Sequence, residues 1–572
     1  MAVSDATQLG PSARARNLDR SDEEIVDLVV VGAGVTGLGT AVDAVSRGLS
    51  VAVIEQRDLA AGTSSRSSRL IHDGLRYLEQ RNFHLVREAL RERSLLLNTL
   101  APHLVTPVSF LYPLRHRLWE RAYVGAGVLL YDALAATSGN PLPRHRHLSR
   151  RKALGLMPGL RRDTLVGGIR YWDASVDDAR FTMALARTAA GQGAAIATSV
   201  RALAVDPRES ETLTVHARCD VTGQALALRG RSVVNATGVR SDRVQALAGE
   251  SQLHTRASKG VHLVVPRDRI DLSGGLIIRT KASVLLLVPS GGHRIIGTTD
   301  TDWNLDLAHP AANRSDIDYL LTTINSVLTE PLTPNDIEGV YAGLRPLLAG
   351  ESDATSRLTR EHAVATTGSG LVTVAGGKFT TYRVMARDAV DATVSGFRSQ
   401  PGPSGTKHLP LLGAESFVET TSSRRDLARR AGLDIAVIDR LLGRYGDRVV
   451  DLIELIEMRP DLGTQILGGG GHLRAEIHYA TTHEGALHLN DVLTRRTHIS
   501  IETPDRGIEA SAPTAALMAE VLGWVPATIE RELHHYKARV AAERESQTMT
   551  DDQTADAARL GAPDVRRGVE GV

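Results

Sequence analysis

Cysteine, long apolar runs and an excess of charge are what this chain lacks. Cys219 is the only cysteine in 572 residues, so the chain forms no internal disulfide and does no chemistry with a cysteine pair. The apolar runs, such as 284–289, are far too short to span a bilayer. The formal net charge of +1 provides no basic field for bulk nucleic-acid binding. We therefore expect a cytosolic protein without a nucleic-acid partner, and any membrane contact should be peripheral.

The size and composition are those of a soluble globular protein with several domains. With 572 residues, 42% of them hydrophobic and 23% charged, the chain has room for three or four domains of ordinary size. Residues 1–24 are polar and lack an apolar core segment, so we expect a disordered tail rather than a signal peptide. The polar segment 546–572 is expected to form a second disordered tail.

A glycine-rich turn near the N-terminus predicts a dinucleotide site. Residues 27–31 form an apolar, valine-rich run typical of a buried parallel strand, and Gly32, Gly34 and Gly37 follow in the G-x-G-x-x-G spacing. The first glycine permits a tight turn, the second lets the backbone approach a pyrophosphate, and the third allows close packing of helix on strand. The amides at the N-terminus of that helix, which should run to about Gly48, would bind the phosphates.

An acidic residue at the end of the next strand supports this interpretation. Residues 50–54 form a second apolar strand that ends in Glu55, where a carboxylate would accept a hydrogen bond from a ribose hydroxyl and repel a 2′-phosphate. A glycine turn in an unrelated α/β unit is the alternative, but here strand, turn, helix, strand and acid follow in register. The segment predicts an adenine dinucleotide and leaves both NAD and FAD open.

Two downstream segments favour FAD. The strand 232–235 runs into Ala-Thr-Gly, with Thr237 and Gly238, where the backbone could close over the same cofactor. Residues 371–383 are again a strand, a glycine pair and a helix start, and these amides could face the flavin ring or its ribityl chain. Lys378 adds a positive charge where a reduced, anionic flavin needs one. The chain has neither the second dinucleotide fingerprint nor the cysteine pair expected of an NAD-linked flavin reductase.

The segment 62–78, GTSSRSSRLIHDGLRYL, combines hydroxyls with cations beside the dinucleotide site. Its cations are Arg66, Arg69, His72 and Arg76. An arginine fork binds phosphate or carboxylate through two parallel hydrogen bonds. A serine-rich surface loop with ordinary ion pairs is the alternative. The position next to the nucleotide favours a flavin enzyme with an anionic substrate.

Ten motifs between residues 25 and 545 match those of a single protein family. They are VGAGVTGLGTAVDAVSRGL (31–49), TSSRSSRLIHDGLRYLE (63–79), DDAR (177–180), VNATG (234–238), KGVHLVVP (259–266), IIGTTDT (295–301), GLRP (343–346), TREH (359–362), GGKFTTYR (376–383) and DVLTRRT (491–497). Together they closely resemble the FAD-dependent glycerol-3-phosphate dehydrogenases of the respiratory, quinone-linked type. The resemblance implies oxidation of sn-glycerol 3-phosphate to dihydroxyacetone phosphate, a step of glycerol catabolism, with electrons passed to a membrane quinone.

The resemblance also assigns roles to single residues. It implies that His262 and Arg345 are catalytic, the histidine as a base whose unperturbed pKa near 6.5 suits proton transfer at neutral pH. Without the resemblance, a histidine in the apolar strand 259–266 would be interpreted as a hydrogen-bonded residue of the core. The substrate-binding residues that it implies are Arg76, Tyr77, His262, Arg345 and Arg360. The residues expected to bind FAD, without a covalent link, are Gly32, Gly34, Gly37, Glu55, Thr63, Ser64, His72, Gly74, Leu75, Thr237, Gly238, Gly377, Lys378, Phe379 and Thr380, and no metal ligands are expected.

Three residues depart from the family pattern. Ala33 replaces the middle glycine of the first motif, a position that alanine fits in many dinucleotide turns. Phe379 replaces a leucine, which changes volume without changing chemistry. Asp73 stands where the pattern has glycine, and it would put a carboxylate near the flavin and the substrate phosphate. Asp73 therefore puts in question whether the charge and geometry around this position follow the family pattern.

We expect an α/β fold with three parts. The first is a discontinuous, Rossmann-like FAD-binding domain of the glutathione-reductase-like class, and the second is an inserted substrate domain with a mixed or antiparallel sheet. After a linker at 401–407, apolar residues spaced by three and four predict a helical C-terminal domain. The predicted bounds are 25–105, 178–250 and 360–398 for the FAD-binding domain, 106–177 and 251–359 for the substrate domain, and 408–545 for the helical domain.

A quinone acceptor would require contact with the bilayer surface. Residues 118–134, LWERAYVGAGVLLYDAL, are flanked by cations at 115–121 and 144–152, a pattern that suits an interfacial amphipathic helix attracted to anionic lipid. A buried helix of the substrate domain is the alternative. We expect a cytoplasmic protein that is peripheral on the inner face of the plasma membrane, and we allow for a homodimer.

Three other functions remain open at the level of the sequence. A glycerol-3-phosphate oxidase would use the same fold with oxygen as acceptor and make peroxide. A different FAD oxidoreductase acting on amines or 2-hydroxy acids would hardly need three arginines for a carboxylate. A non-catalytic FAD-binding scaffold would not need the motifs at 259–266, 343–346 and 376–383.

Overall fold

A computed structural model of the chain describes residues 6–72, 83–116, 118–136, 139, 142–209, 211–280, 284–349 and 361–567. The strands of these residues, in chain order, are β1 (Ile25–Val31), β2 (Val51–Glu55), β3 (Leu70–Ile71), β4 (Val105–Leu114), β5 (Arg146–Ser149), β6 (Gly167–Val176), β7 (Ala195–Thr198), β8 (Val200–Glu209), β9 (Thr212–Cys219), β10 (Ala225–Asn235), β11 (Thr255–Pro266), β12 (Gly275–Arg279), β13 (Val284–Ser290), β14 (His293–Gly297), β15 (Thr301–Trp303), β16 (Gly339–Leu348), β17 (His362–Thr366) and β18 (Leu371–Gly376).

Helices pack on the sheets and make up the C-terminal third of the chain. In chain order they are α1 (Pro11–Glu23), α2 (Val35–Ser46), α3 (Phe83–Leu95), α4 (Trp119–Ala136), α5 (Arg150–Leu156), α6 (Asp178–Gly191), α7 (Ser241–Leu247), α8 (Arg314–Asn325), α9 (Tyr382–Val394), α10 (Phe417–Ser422), α11 (Arg424–Ala431), α12 (Ile435–Tyr445), α13 (Val449–Met458), α14 (Arg474–Thr482), α15 (Leu489–Asp491), α16 (Ile499–Glu502), α17 (Ile508–Leu522), α18 (Pro526–Ser546) and α19 (Asp552–Leu560).

The first sheet has the parallel arrangement that the glycine turn predicts. Its order is β17-β18-β10-β1-β2-β7, and β18, β10, β1, β2 and β7 are parallel neighbours. The edge strand β17 is antiparallel to β18, and β8 and β9 continue from β10 as antiparallel strands. Parallel strands meet at their carboxyl ends, where α/β sheets bind ligands. The predicted Rossmann-like architecture is confirmed.

Apolar layers cover both faces of this sheet. On one face α2, α6 and α9 share a core with β1, to which Leu38, Phe181 and Met385 contribute buried side chains. On the other face β8 and β9 fold back over the sheet, and Leu18 of α1 joins that core. Both faces of β1 are buried, which explains why its residues form a continuous apolar run rather than an alternation of apolar and polar residues.

The second sheet is mixed, as expected. Its order is β15-β11-β14-β13-β12-β4-β6-β3, with β16 added to β11 and β5 added to β6. The pair β12/β4 is parallel, and the other pairs are antiparallel. The strand β11 lies between β16 and the pair β14 and β15, so it carries neighbours along both edges. The domain bounds given above remain a prediction.

The helices α11 to α18 enclose a separate apolar core. A buried charge cluster joins this part to the first sheet. Asp58, in the loop after β2, lies 2.5 Å from Nε of Arg495 and 2.7 Å from Nη1 of Arg496, and all three side chains are buried. Such a pair holds two elements in one register because separation would leave buried charges unpaired. The helical domain is thereby fixed next to the dinucleotide turn.

The disorder expected at both ends was wrong over most of those residues. The helix α1 covers Pro11–Glu23, and Arg14 donates hydrogen bonds to the carbonyl of Thr198, the shorter of them 2.7 Å long. Near the other end, α19 buries Ala555 completely. Both segments are polar by composition, and their few buried side chains fix them through contacts distant in the sequence.

Within the described ranges, no helix combines the length and the apolar character that crossing a bilayer requires.

Candidate active site

One large cavity lies where the two sheets meet, with a volume of about 940 Å³. This is near the upper end of the range for small-molecule and cofactor sites. The lining includes fourteen of the residues selected from the sequence. They are Gly32, Gly34, Glu55, Thr63, Ser64, His72, Thr237, Gly238, His262, Arg345, Gly377, Lys378, Phe379 and Thr380.

The glycine turn leaves no room for side chains at its critical positions. Gly32 has a φ of +107°, and a Cβ atom there would lie 2.8 Å from the carbonyl oxygen of Ala236. At Gly37 a Cβ would lie 1.9 Å from the carbonyl oxygen of Gly32, so the helix packs directly on the turn. Gly37 therefore shapes the cavity from behind. The middle glycine, Gly34, borders the cavity itself.

The start of α2 lies beside the hydroxyl of Ser64. The hydroxyl oxygen of Ser64 accepts a 2.9 Å hydrogen bond from the Val35 amide at this helix start. The Ser64 hydroxyl hydrogen remains able to donate to a phosphate. The hydroxyl of Thr63, which also lines the cavity, donates to the carbonyl of Leu344 at 2.5 Å and ties the loop to β16.

Backbone amides of the glycine turn and of the loop after β2 hold the side chain of Glu55. Its two carboxylate oxygens accept 2.9 Å hydrogen bonds from the amides of Ala33 and Arg57. Each oxygen keeps a second lone pair. The carboxylate therefore lies fixed at the cavity wall with acceptor capacity left for a ribose hydroxyl.

The segment after β18 closes another side of the cavity. Gly376 and Gly377 have φ angles of +75° and +83°, and a Cβ at Gly377 would lie 2.4 Å from Sδ of Met385. Thr380, which is buried, donates to the carbonyl of His72 at 3.3 Å. Two chain segments distant in the sequence thus meet here, with Lys378 between them at the cavity lining.

His262 lies on β11, packed between two neighbouring strands. Its ring stacks on Tyr341 of β16 with the ring centres 4.8 Å apart. On the opposite edge it faces Gly297, where a Cβ would come within 2.3 Å of the imidazole. The hydroxyl of Ser68 lies 2.9 Å from Nε2, and the buried Nδ1 has no hydrogen-bond partner among the described residues. The imidazole that lines the cavity is thus fixed on several sides, and its unbonded Nδ1 is buried.

The electrostatic surroundings keep that imidazole neutral. Burial, followed by the positive charges of Arg345 and Arg69, lowers the pKa of His262 from its ordinary value to about 3. An unperturbed histidine has a pKa near 6.5. With the lowered pKa, the imidazole is unprotonated throughout the physiological range and is a weaker base than an exposed histidine.

Arg345 lies on β16 opposite Ser258 of β11. Its guanidinium donates to the hydroxyl of Thr298 at 3.1 Å and to the carbonyl of Thr299 at 3.2 Å. The carboxylate of Asp300 lies 3.5 Å from Nη1. The guanidinium also lies over Gly260, where a Cβ would be 2.5 Å from Nη2. The fork is thus oriented by a hydroxyl, a carbonyl and a carboxylate at the cavity wall.

The other expected site residues divide into two groups. Arg69 turns away from the cavity and lies 3.4 Å from Glu502 of the helical domain, whereas Arg66 lines the cavity. The remaining residues lie outside the described part of the chain, namely Asp73, Gly74, Leu75, Arg76, Tyr77 and Arg360. Their assignments stay predictions.

Sequence reasoning missed the partners that orient the two central side chains. Ser68 and His262 are 194 residues apart, and Asp300 has no motif of its own that points to Arg345. The matched segments 63–79 and 295–301 contained both residues, but no local pattern pairs them with their partners. The glycines Gly260 and Gly297 could have been suspected, because each interrupts an apolar strand.

The cavity fits an adenine dinucleotide with a flavin. It combines glycines whose missing side chains leave the backbone accessible, a helix start with the Ser64 hydroxyl beside it, a carboxylate with acceptor capacity and an imidazole at the wall. Phosphates, ribose and ring would each find a suitable group.

Comparisons with known proteins agree with this fit. A profile of FAD dependent oxidoreductases matches residues 27–383, and one of the C-terminal domain of alpha-glycerophosphate oxidase matches residues 404–529. A glycerol-3-phosphate dehydrogenase of Mycobacterium leprae is 52% identical over 562 residues, which cover 98% of this chain and 96% of the relative. The chain belongs to the FAD-dependent glycerol-3-phosphate dehydrogenase family. FAD is the cofactor of this family and of this chain.

Two further relatives support the family assignment. The mitochondrial glycerol-3-phosphate dehydrogenase of Bos taurus is 34% identical over 546 residues, or 91% of this chain and 74% of the relative. The crystal structure of the glycerol-3-phosphate dehydrogenase from Bacillus halodurans, complexed with FAD, has a TM-score of 0.76 and 26% identity, and the match covers 93% of this chain and 98% of that one. The family fold therefore extends over nearly the whole molecule, including the helical domain.

The geometry of the glycine turn yields a prediction about FAD binding. The change Gly34→Val should abolish FAD binding, because its Cβ would start 3.1 Å from the Ser64 hydroxyl and its methyl groups would fill the approach to the helix start. The absorbance spectrum of the purified protein measures the bound flavin. The control is Gly62→Ala, which lines the same cavity with a negative φ and meets no atom within 4 Å. Normal flavin content in Gly34→Val, or an equal loss in both variants, would contradict this account.

Proposed function

We propose that this chain oxidises sn-glycerol 3-phosphate to dihydroxyacetone phosphate and passes the electrons to a membrane quinone. The observation that carries the proposal is the presence of His262 and Arg345 on adjacent strands at the wall of the dinucleotide cavity. A neutral base and a phosphate-binding cation are what a phosphorylated secondary alcohol requires. The name shared by the relatives supports this substrate.

Arg345 binds the substrate phosphate in this proposal. Its planar fork can donate two parallel hydrogen bonds to one phosphate. Thr298 and Thr299 hold Nη2 in place, while Asp300 lies close to Nη1 at 3.5 Å. A dianionic phosphate competes well with a single carboxylate at that distance. Arg76, Tyr77 and Arg360, assigned by resemblance, complete the proposed phosphate and hydroxyl contacts.

His262 accepts the proton of the substrate hydroxyl. We assign the proton to Nε2, because this nitrogen lies 2.9 Å from the hydroxyl of Ser68 and both residues line the cavity. Nδ1 is buried, and the ring of Tyr341 fixes the imidazole by stacking. Bound FAD supplies the acceptor for the hydride from the alcohol carbon. A bound phosphate would offset the charge of Arg345, one of the groups that lower the histidine pKa. The imidazole thus becomes a stronger base once the substrate is present.

The helix α4 supports the membrane contact. Its inner side chains, such as Val128 and Tyr131, are buried, while every exposed position along it carries an apolar residue. Those positions are Trp119, Ala122, Tyr123, Ala126, Leu129, Leu130, Ala133 and Ala136. An outward face without one charge is unusual for a surface helix in water and suits the acyl boundary of a lipid layer.

Cations near this helix favour anionic lipid as the contact. Arg115 and His116 precede it and are exposed, as are Arg144, Arg146 and the residues 150–152. Positive charges that flank an apolar helix attract anionic headgroups, and salt weakens this attraction by screening it. The expected alternative, a helix buried within the substrate domain, does not describe α4, whose largest outward residues are 53–62% exposed at Trp119, Tyr123 and Leu129.

Oxygen is the second candidate acceptor. The match of residues 404–529 to the C-terminal domain of alpha-glycerophosphate oxidase favours it, because an oxidase turns over without a quinone. The apolar face of α4 weighs towards the quinone, since an oxidase needs no lipid contact.

The phosphate contact generates a prediction for kcat/KM. The change Arg345→Ala should lower kcat/KM for glycerol 3-phosphate by about 10²–10⁴-fold, because two charge-assisted hydrogen bonds contribute about 1.5–3 kcal/mol each. Steady-state dye reduction measures the loss, and FAD content should hardly change. Arg256→Ala is the control, because Arg256 lies on the neighbouring strand and pairs with Asp302 near the surface. An unchanged kcat/KM in Arg345→Ala would remove this residue from the substrate site.

The base generates a prediction for the flavin reduction rate. The change His262→Ala should slow that rate by about 10²–10⁴-fold, the usual range for general base catalysis, while glycerol 3-phosphate binding falls less. Stopped-flow absorbance separates the two quantities. The pKa of His262 in the protein is lowered to about 3, so protonation of this residue should cause no fall in kcat/KM between pH 8 and pH 5. A normal reduction rate with a large binding loss would assign His262 to the phosphate instead.

The outward face of α4 generates a prediction about vesicles. The change Leu129→Glu should weaken association with anionic vesicles and reduce the vesicle-enhanced rate of quinone reduction, while dye-linked activity is retained. Val418→Glu is the matched control, because Val418 is 70% exposed on a different helix. Vesicle sedimentation at low and high salt gives the measurement. The oxidase alternative holds if the reduced enzyme ignores quinones and instead reoxidises in air with stoichiometric peroxide.

A further inference from the structure

A second, smaller cavity lies between the loop after β2 and the C-terminal helices. Its volume is about 90 Å³, and α18, α19 and the residues after them form much of its wall. Arginines dominate its lining. They are Arg57, Arg66, Arg495, Arg506, Arg539, Arg544, Arg559 and Arg566. It is separate from the substrate site, because neither His262 nor Arg345 lines it.

Six of these arginines have protein partners. Arg57 lies 2.7 Å from Asp564, and Arg495 is paired with Asp58 and Asp491. Arg566 also pairs with Asp491, Arg506 and Arg559 share Glu543, and Arg544 donates to the carbonyl of Pro504. The carboxylates are thus shared among several cations.

Arg66 and Arg539 are different. Neither side chain forms a hydrogen bond or an ion pair within the described residues, and Nη2 of Arg539 is buried. Burial is the main cause that lowers the pKa of both guanidinium groups, and repulsion from Arg559 and Arg57 lowers it further in both. Glu543 attracts each of them and Asp564 attracts Arg539, but the pKa of both stays lowered. An arginine keeps its proton in proteins, so this repulsion persists in the folded protein. The cavity therefore holds uncompensated positive charge.

The size of the cavity limits what can compensate it. A water molecule occupies about 30 Å³ in the liquid, so the space holds about three waters or one small oxyanion. Ligand pockets for larger molecules begin at about 300 Å³, which excludes a nucleotide. Forked donors from several directions suit a tetrahedral anion with four oxygens. Arg544 and Gln547 are at least partly exposed and give access from solvent.

We propose that this cavity is a binding site for a phosphate group, either inorganic phosphate or the phosphate of a small monoester. Arg66 and Arg539 are its main donors, and the ligand bridges the loop after β2 to α18. Arg66 also lines the FAD cavity, so the bound anion lies behind the loop that forms the dinucleotide site. The site is independent of the proposed reaction.

Calorimetric titration of the full-length holoenzyme with inorganic phosphate, in a phosphate-free buffer, tests the proposal. The variant Arg345→Ala should keep the site, because its change lies in the other cavity. Arg539→Gln should weaken phosphate binding by about 10- to 100-fold, the range for one charge-assisted bond. Arg531→Gln is the matched control, because Arg531 lies on the same helix and is exposed. Titration with glycerol 2-phosphate distinguishes a monoester from free phosphate as the better ligand.

Thermal unfolding of the same variants separates ligand binding from a fold defect. Without phosphate, Arg539→Gln should melt at the wild-type temperature or above, because the change removes a repelled charge. With phosphate, the wild type and Arg531→Gln should gain stability and Arg539→Gln should not. In the titrations, the proposal is overturned if the wild type binds no phosphate, if Arg539→Gln binds it normally, or if Arg345→Ala alone abolishes binding. In the unfolding experiments, it is overturned if Arg539→Gln unfolds at a lower temperature than the wild type, or if chloride at matched ionic strength stabilises the protein as much as phosphate does.

Discussion

The close packing of β11 against its neighbours is the constraint on which the active site depends. Within five residues this strand presents Ser258 opposite Arg345, leaves space at Gly260 for the guanidinium, and places His262 opposite Tyr341 and Gly297. A side chain at Gly260 would collide with Arg345, and one at Gly297 would collide with His262. A register shift of one residue would turn His262 to the other face of the sheet. The relative positions of His262 and Arg345, the proposed base and phosphate-binding cation, are thus set by backbone pairing rather than by flexible loops.

Buried charges fix the other half of the site. The loop between β2 and β3 contributes Ser64, Arg66 and Ser68 to the cavity, and the helical domain holds this loop from behind through Asp58 and Arg69. A buried charge that loses its partner costs about 3–5 kcal/mol, so these contacts are strongly selective for one arrangement. This gives the C-terminal domain a physical role in the active site, although it contributes neither His262 nor Arg345.

The sequence predicted those parts of the site that short-range spacing determines. The dinucleotide turn, Glu55 at the end of β2 and the turn after β18 are all local patterns with a backbone reason for each residue type. The pairings of Ser68 with His262 and of Asp300 with Arg345 arise only when distant strands meet. The low pKa of His262 depends on burial and on cations from two other elements, which no local pattern contains. The helix α1 was missed for a similar reason, because its polar sequence hides the few residues that pack on the sheet.

Anaerobic reduction of the bound flavin by substrate tests the central claim most directly. Oxidised holoenzyme is mixed with sn-glycerol 3-phosphate, glycerol or sarcosine in the absence of oxygen and of any acceptor, and the flavin absorbance is followed. Glycerol 3-phosphate alone should bleach the flavin rapidly, with formation of one dihydroxyacetone phosphate per FAD. A flavin that stays oxidised with glycerol 3-phosphate, or that sarcosine or glycerol reduces equally well, would contradict it.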